Sequence, residues 1–228
     1  MDSGVQPLAQ TIFEGLSPSY DTVLSAATLM QDASWKRWLL SRADIAKGDR
    51  VLDIGCGTGV LEEGIKGVDV VGVDITEKMV RLAQGKRIPS LASLSLGDGE
   101  HLPFRDASFD KVLSCYVVKY CNPDRLVREI ARVLRPGGEL VLYDFSSPRG
   151  PFAPFHALYI YGALRLFGRI LRPFDPDAAF TYEALPEVIR SRIWDERFGE
   201  TLESAGFSSV GSRRLTGGAV TGYWATKA

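Results

Sequence analysis

The stretch VLDIGCGTG at 51–59, an apolar run that leads directly into three closely spaced glycines, strongly constrains how this chain can fold. A short, continuously apolar segment bounded by glycine is typical of a buried β-strand. Gly55, Gly57 and Gly59 can adopt positive φ and let a ligand approach the main chain closely. The residues TGVLEEGI then predict a helix with Thr58 near its N-terminus. A strand, a glycine turn and a helix in this order begin an α/β unit.

Strands and helices alternate along the rest of the chain. Buried strands are predicted at VDVVGVDI, SLSLGD, KVLSCYV and GELVLYDF, and helices at TEKMVRLAQGK, with Thr76 as the expected N-cap, and at PDRLVREIARVL. This alternation indicates a mostly parallel, Rossmann-like sheet with helices on both faces. The segment FSSVGSRRLTGGAVTGYWATK predicts two further strands joined at TGG, so that an antiparallel hairpin closes a seven-stranded sheet.

Composition excludes several classes of protein. The 228 residues suit a single domain, and 27 basic against 28 acidic side chains give a net charge of −1, which does not favour nucleic-acid binding. Cys56, Cys115 and Cys121, odd in number and in apolar surroundings, indicate reduced thiols in the cytoplasm, and their spacing fits no zinc site. The N-terminus lacks the apolar core of a signal peptide, and no apolar run approaches the roughly 20 residues that span a bilayer.

Two helical regions flank the predicted sheet. Residues 1–46 form an N-terminal helical cap, with helical spacing over 8–44, and residues 148–190 interrupt the sheet order as a helical insertion. The segment 148–176 mixes aromatic and aliphatic residues with three arginines, Arg165, Arg169 and Arg172. This composition suits an amphipathic helix that serves as a lid over the substrate site or rests on a membrane surface. A helical insertion packed on the core explains the same apolar stripe.

The acids around the glycine loop indicate its ligand. Asp74 ends the second strand, 74 − 55 = 19 positions after Gly55, and an acid about 20 residues on is placed to bind ribose hydroxyls. The run GCGTGV lacks the third glycine of the dinucleotide fingerprint, and the phosphate-loop pattern is missing. Asp53, just before the loop, suits a cation better than a pyrophosphate. A cationic ligand with a ribose points to S-adenosylmethionine, with Asp98 and Gly99 placed to read its adenine edge.

The stretch 50–146 resembles the class I S-adenosylmethionine-dependent methyltransferases, with VLDIGCGTG, VVGVD, GDGEHLPF and RPGGELVLYDFS in register. Over nearly the whole chain the resemblance narrows to the ubiquinone/menaquinone biosynthesis C-methyltransferase family. Tyr20, Asp21 and Trp35 match its first signature, RVLRPGGELVLYDFS its second, and LTGGAVTGYWATK its closing hairpin.

This resemblance implies a class I methyltransferase fold, S-adenosylmethionine as cofactor, and C-methylation of the ring of a prenylated quinol. It implies a cofactor site lined by Gly55, Gly57, Thr58, Gly59, Asp74, Asp98, Gly99 and Cys115. To this predicted site we add Asp53, Ile75 and Met79, which lie beside the loop and the second strand.

The chain departs from the family pattern at several positions. At five positions one residue differs: this chain has Leu24 where the family has Asn, Thr28 where it has Ser, Asp32 where it has His, Cys115 where it has Ser, and Asp144 where it has Glu. The Arg-Asn pair after the fourth strand, which the family implicates in activating the substrate, is Lys119-Tyr120 here. Lys offers a point charge where Arg offers a planar fork, so the exchange is not conservative at a site that grips oxygens.

Methyl transfer from a sulfonium depends mostly on positioning. A ring carbon attacks once an adjacent hydroxyl has lost its proton, which requires a base or a positioned water. We predict Tyr20, Asp21 or His156 as that base, with Lys119, next to Tyr120, stabilising the phenolate. Each has a structural alternative, namely an N-cap and packing pair at Tyr20 and Asp21, a solvated strand end at Lys119, and an exposed or structural position at His156.

Other functions stay open at this point. They are methylation of another small molecule at O, N or a metalloid, a nicotinamide-dependent oxidoreductase, and a binding protein without catalysis. The missing third glycine argues against the oxidoreductase. The predicted partner is a small-molecule substrate, with neither nucleic acid nor metal. Peripheral contact with the inner face of a membrane and a homodimer are left open.

Overall fold

The computed structural model describes residues 20–146, 151–191 and 194–228, together with Gln10, Phe13 and Glu14. Within these residues the strands are β1 Val51–Ile54, β2 Val70–Asp74, β3 Leu91–Leu96, β4 Phe109–Cys115, β5 Leu134–Phe145, β6 Phe207–Leu215 and β7 Val220–Lys227. The helices are α1 Tyr20–Ala27, α2 Asp32–Ala43, α3 Glu77–Lys86, α4 Pro123–Val133, α5 Ala153–Ala157, α6 Leu164–Leu171, α7 Pro176–Ser191 and α8 Phe198–Ser204. A π-helical turn, Leu158–Ala163, joins α5 to α6, and 3₁₀ turns cover Glu62–Gly64, Val118–Tyr120 and Thr216–Gly218.

The strands form one sheet in the order β3-β2-β1-β4-β5-β7-β6. Pairing is parallel from β3 through β5, and β7 runs antiparallel to both β5 and β6. The strand order reverses between β1 and β4, which creates a topological switch point where open α/β sheets bind their ligands. The predicted mostly parallel sheet with a closing antiparallel hairpin is confirmed.

Alternate side chains of the strands supply a core on each face of the sheet. On β5, Leu140 and Leu142 belong to one core, and Val141 and Tyr143 belong to the other. Helices α4 and α8 cover the first core, whereas α2, α6 and α7 cover the second. The carboxyl ends of the central strands therefore lie between two helical layers.

Two tryptophans fix α2 on the sheet. Trp35 is buried, its Nε1 donates a hydrogen bond to Thr216 Oγ1 at 2.8 Å, and its ring meets that of Phe145 edge-on. Trp38 lies against β7 at Gly222, where an added Cβ would come within 2.1 Å of the indole ring. The residue that matched the family signature, Trp35, thus ties the N-terminal helices to the closing hairpin.

The helix predicted at TGVLEEGI is wrong, and Thr76 lies at the predicted N-cap position without making a capping hydrogen bond. The predicted helix TGVLEEGI contains only the 3₁₀ turn Glu62–Gly64, because Gly59 has a left-handed φ of 82° in its first turn and Ile65 at its end is extended. Thr76 does occupy the N-cap of α3, but its hydroxyl makes no capping bond. It donates instead to Asp74 Oδ1 at 2.7 Å.

Over its described part the insertion consists of α5, the π-helical turn, α6 and α7. Ile160 and Leu164 are buried on its inner face, so one side packs on the core. Residues 147–150 lie outside the described part, as do 8, 9, 11, 12 and 15–19 of the predicted N-terminal helical region. In the part of the chain that the structure describes, no helix has the length and apolar character needed to cross a membrane.

Candidate active site

A cleft opens at the carboxyl ends of β1, β2 and β4, with an empty volume of about 690 Å³. It brings together most of the predicted cofactor residues, namely Gly55, Gly57, Asp74, Ile75, Met79, Asp98, Gly99 and Cys115. Asp53 and Thr58 line an adjoining pocket of about 390 Å³, which shares part of its wall with the cleft. The switch point of the sheet therefore brings together predicted cofactor residues that lie far apart in the sequence.

Glycine is required at two positions of the loop for different structural reasons. Gly55 has φ 74°, and a Cβ added there would lie 2.2 Å from Val117 Cγ2. Gly59 has φ 82°, and a Cβ there would lie 2.4 Å from Ile88 Cδ1. Gly59 lines neither the cleft nor the adjoining pocket. Its predicted place in the cofactor site is therefore not seen, because it serves the packing of the loop against the residues that precede β3.

Asp74 holds the glycine loop to the end of β2. Its Oδ2 accepts the backbone N–H of Gly57 at 2.9 Å, and its Oδ1 accepts the N–H of Thr76 at 2.9 Å and the Thr76 hydroxyl at 2.7 Å. Burial raises the pKa of the Asp74 carboxyl, against the opposing effect of these hydrogen bonds. A carboxylate offers about four acceptor positions, so it can take a further donor in the cleft.

Two buried carboxyl groups lie next to each other beneath the adjoining pocket. Asp53 is 2% exposed and Glu62 is 0% exposed. Among the described residues, no donor group hydrogen-bonds to Asp53 Oδ1 or to either Glu62 oxygen, and the two carboxyl groups interact with each other. Burial raises the pKa of Glu62 to about 7, and burial together with the neighbouring Glu62 raises that of Asp53 well above its usual value. A buried acceptor to which no donor group hydrogen-bonds suits a cationic group of a ligand.

Tyr20 and Asp21 form the first turn of α1 and have different surroundings. Tyr20 lines the cleft and meets the ring of Phe13 edge-on, and burial raises the pKa of its phenol. Asp21 accepts the Thr58 hydroxyl at 2.6 Å and Lys86 Nζ at 2.8 Å. Because both carboxylate oxygens of Asp21 have partners, the residue fixes α1 on the glycine loop. The structure does not support its predicted role as the base.

Lys119 lies behind the wall of the cleft. It is 2% exposed, and its Nζ donates to Asp144 Oδ1 at 2.9 Å and to the Tyr116 carbonyl. Burial lowers the pKa of Lys119, against the pull of Asp144. It is therefore neither the solvated strand end nor the phenolate contact considered above, because its ammonium is enclosed by the 3₁₀ turn and β5. Its neighbour Tyr120 does line the cleft.

A second cavity lies between the N-terminal helices and the insertion, with an empty volume of about 770 Å³. Its wall is mostly apolar and includes Trp35, Phe145, Ile160, Leu164, Leu185 and Ile189. Leu29 and Phe155, which are 61% and 70% exposed, also line it and mark the side on which it opens. The ring of Tyr116 in the cleft wall stacks on that of Phe145 in the cavity wall with centroids 5.0 Å apart, so the two walls are in contact at this point.

Sequence reasoning placed one residue wrongly and missed others. His156, a predicted base, lines the second cavity and is absent from the wall of the cleft. Phe13 and Tyr116 line the cleft without having been selected. Tyr116 could have been found as the residue directly after the fourth strand, where α/β sheets place functional side chains. The sequence carries no comparable signal for Phe13, which reaches the site only through the packing of the N-terminal region.

The strand order, reversed beside β1 and closed by an antiparallel β7, together with a glycine loop and an acid that ends β2, is that of the class I methyltransferases. The chain belongs to the ubiE/COQ5 methyltransferase family, which it matches over residues 2–227. The protein is therefore a methyltransferase, and S-adenosylmethionine is its methyl donor. The predicted family, enzyme class and cofactor are confirmed.

Individual relatives agree with this assignment. A demethylmenaquinone methyltransferase of Beutenbergia cavernae is 38% identical over 222 residues, which cover 95% of this chain and 89% of the relative. The ubiquinone/menaquinone biosynthesis C-methyltransferase UbiE of Chromobacterium violaceum is 31% identical, with 92% and 87% covered. A methyltransferase structure from Thermotoga maritima, described as a possible histamine N-methyltransferase, has a TM-score of 0.63 at 19% identity, with 96% and 99% covered. This last likeness concerns the fold alone.

Proposed function

We propose that the protein transfers a methyl group from S-adenosylmethionine to a ring carbon of a prenylated quinol of the demethylmenaquinol type. The observation that carries this proposal is the apolar cavity beside the cleft. The cleft has acids and a glycine loop that suit a charged cofactor, whereas the cavity offers a hydrocarbon tail a place out of water. The names of the relatives support the same ring chemistry.

In this proposal the cofactor lies across the cleft and the adjoining pocket. Asp74 would accept a ribose hydroxyl, Asp98 and Gly99 would hold the adenine, and Asp53 would hold the methionine ammonium. The buried Asp53 Oδ1, to which no described donor group hydrogen-bonds, supports the last contact, since a cation there would compensate the cost of a buried carboxylate. The bound cofactor supplies a positive sulfur that leaves readily, so the chain contributes mainly position.

The insertion serves as a lid whose outer face rests on a membrane. Side chains that are more than half exposed cluster there and at the turn after α1, namely Leu29, Met30, Phe152, Phe155, Leu158, Leu166, Ile170 and Phe174. Arg165 and Arg172 pair with Glu187 and Glu183, so the basic charge is partly neutralised. Apolar insertion therefore contributes more to binding than the arginines, and the cavity opens beside the surface where a prenylated substrate dissolves.

Transfer of labelled methyl groups from S-adenosylmethionine to acceptors of increasing tail length tests the proposal. We expect kcat/KM to rise by roughly tenfold or more from a ring-only naphthol to a prenylated naphthoquinol, because each buried CH₂ contributes about 0.8 kcal/mol. NMR of the product should place the new methyl on a ring carbon. Equal use of tailed and tail-free acceptors, or methylation at O or N, would instead favour another small-molecule substrate.

A further inference from the structure

Three observations single out Tyr116, the residue that follows β4. Its φ is 65°, in the left-handed region that side chains other than glycine seldom adopt and that often marks functional positions. It lines both the cleft and the adjoining pocket. Its hydroxyl donates a hydrogen bond to Asp32 Oδ1 at 2.7 Å, although the two residues are 84 positions apart.

Asp32 begins α2 and is only 9% exposed. Its other carboxylate oxygen accepts Lys36 Nζ at 2.5 Å, and the Tyr143 hydroxyl of β5 lies 3.4 Å from Oδ1. The titratable groups that face this carboxyl are Lys36 of its own helix, Tyr20 of α1, Cys115 and Tyr116 at the end of β4, and Tyr143 of β5. The carboxylate therefore has a cationic partner on one oxygen and the Tyr116 hydroxyl on the other, which fixes Tyr116 and Asp32 in position relative to each other.

We propose that Tyr116 and Asp32 form the proton-accepting pair of the methyl transfer. Tyr116 takes the proton of the ring hydroxyl of the acceptor while its own phenolic proton passes to Asp32. The inference rests on the proposed function, because it requires a phenolic acceptor. In this pair Tyr116 is the catalytic residue and Asp32, which acts through it, is a positioning residue that stores the proton.

The protons and electrons balance over the whole reaction. The ring carbon beside the ionised oxygen forms a bond to the methyl carbon as the bond from that carbon to sulfur breaks and sulfur keeps the electron pair. The ring C–H proton then leaves to water. Its electrons restore the aromatic ring, and the proton held on Asp32 returns through Tyr116 to the ring oxygen. One proton is released in each turnover.

The surroundings of Tyr116 suit a residue that passes a proton on. Burial, with a further contribution from Asp32, raises the pKa of its phenol well above the usual value. A free phenolate at Tyr116 is thus disfavoured, and the hydrogen bond to Asp32 gives the phenolic proton of Tyr116 an acceptor. Of the bases predicted from the sequence, Asp21 is occupied by Thr58 and Lys86, and His156 lies in the second cavity. Tyr20 lines the cleft, but among the described residues no hydrogen bond joins its hydroxyl to a carboxylate that could receive its proton. Tyr116 and Asp32 fill the role that those residues leave.

Tyr116→Phe, Asp32→Asn and the double variant test the pair. We expect each single variant to lose about 100-fold in kcat at pH 7, the scale of a positioned acid–base group. The double variant should be no slower than the slower single variant, because both changes break one path. The KM for the cofactor should stay unchanged. Tyr223→Phe is the matched control, since its buried hydroxyl donates to the Asp195 carbonyl in the core on the other face of the sheet and the residue does not line the cleft, and we expect it to stay within threefold of the wild type.

The pH profile separates proton transfer from packing. As the pH rises toward the ionisation of a phenol near 10, the substrate arrives without its proton, so the deficit of Tyr116→Phe should shrink. A packing defect would lower kcat by the same factor at every pH. A thermal shift with S-adenosylhomocysteine checks that each variant folds. If Asp32→Asn does not fold, the test rests on Tyr116→Phe alone.

Two results contradict the inference. One is a Tyr116→Phe deficit below threefold, and the other is a deficit that does not depend on pH. If the wild type methylates the prenylated quinol and either result appears, only the inference fails. A wild type that methylates no phenolic acceptor overturns the proposed function and, with it, the pair.

Discussion

The part of the site that we assign to the cofactor, around the glycine loop and Asp74, is the cofactor side, and the part that we assign to the acceptor, around Tyr116 and the second cavity, is the acceptor side. The two sides are built in different ways. On the cofactor side, Asp74 contacts Gly57 and Thr76, which are 17 and 2 positions away. On the acceptor side, Tyr116 reaches Asp32 across 84 positions, and Trp35 reaches Thr216 across 181. Local backbone geometry therefore fixes the cofactor side, whereas the acceptor side exists only once the helical cap, the strand ends and the hairpin have packed together.

The two sides also differ in polarity. Buried acids surround the glycine loop, and Asp53, Glu62 and Asp74 are each less than 9% exposed. The second cavity lies beyond Tyr116 and Phe145 and is mostly apolar. At the contact between Tyr116 and Phe145, an environment suited to a charged cofactor thus borders one suited to a hydrocarbon tail. In this account the methyl group is transferred at that boundary.

The largest expected effect comes from damaging the cofactor side at Asp74. Asp74→Asn replaces an oxygen that accepts charge-assisted hydrogen bonds with an amide nitrogen, and such bonds contribute about 1.5–3 kcal/mol each. Calorimetry should show the affinity for S-adenosylhomocysteine falling by about 100-fold. Asp69→Asn, an exposed acid just before β2, should leave the affinity unchanged. Wild-type affinity in Asp74→Asn would remove Asp74 from the cofactor site.

An intermediate effect is expected on the outer face of the acceptor side. Phe174 and Leu158 are 83% and 72% exposed, and the double change Phe174→Ser and Leu158→Ser removes apolar area that the proposal places in a bilayer. Co-sedimentation with anionic vesicles should weaken by roughly tenfold or more, at about 25 cal/mol per Å². Leu96→Ser on β3, at a residue 58% exposed, is the control. Equal losses in the control and the double variant would remove the membrane contact from the account.

A change at Glu62 should have the smallest effect on turnover, and we expect it to act on the stability of the fold instead. Burial raises its pKa from 4.5 to about 7, so between these values the folded protein binds more protons than the unfolded chain, and stability falls as pH rises. Glu62→Gln removes that loss. Its free energy of unfolding relative to wild type should grow by up to about 3 kcal/mol between pH 4.5 and pH 8.

Thermal or urea unfolding across that pH range measures this difference. The exposed neighbour Glu63→Gln should follow the wild type at each pH. A parallel pH dependence in Glu62→Gln and wild type would show that the buried carboxyl carries no such cost.

The contrast between the two sides also explains what the sequence predicts. The glycine loop, Asp74 and the Asp98–Gly99 turn follow from strand patterning and spacing, because each sits at the end of its own strand. The short turn at Glu62 does not follow from the sequence pattern, because it depends on the left-handed backbone of Gly59. The burial of Lys119 does not follow either, because it depends on β5 enclosing the ammonium. The apolar cavity is lined by five separate segments of the chain, within 27–35, at Phe145, and within 155–164, 185–189 and 216–219, and no local pattern identifies such a set.

One measurement tests most directly whether the cleft and the cavity serve one substrate. Ala219 lines the cavity, and Ala219→Phe narrows it without touching the cleft. We predict that the KM for a prenylated naphthoquinol rises by about tenfold or more, since about 0.8 kcal/mol is lost for each displaced CH₂, while the KM and kcat for a ring-only naphthol match those of wild type and of the surface control Ala92→Phe. Equal KM values for the prenylated acceptor in Ala219→Phe and wild type would contradict the account.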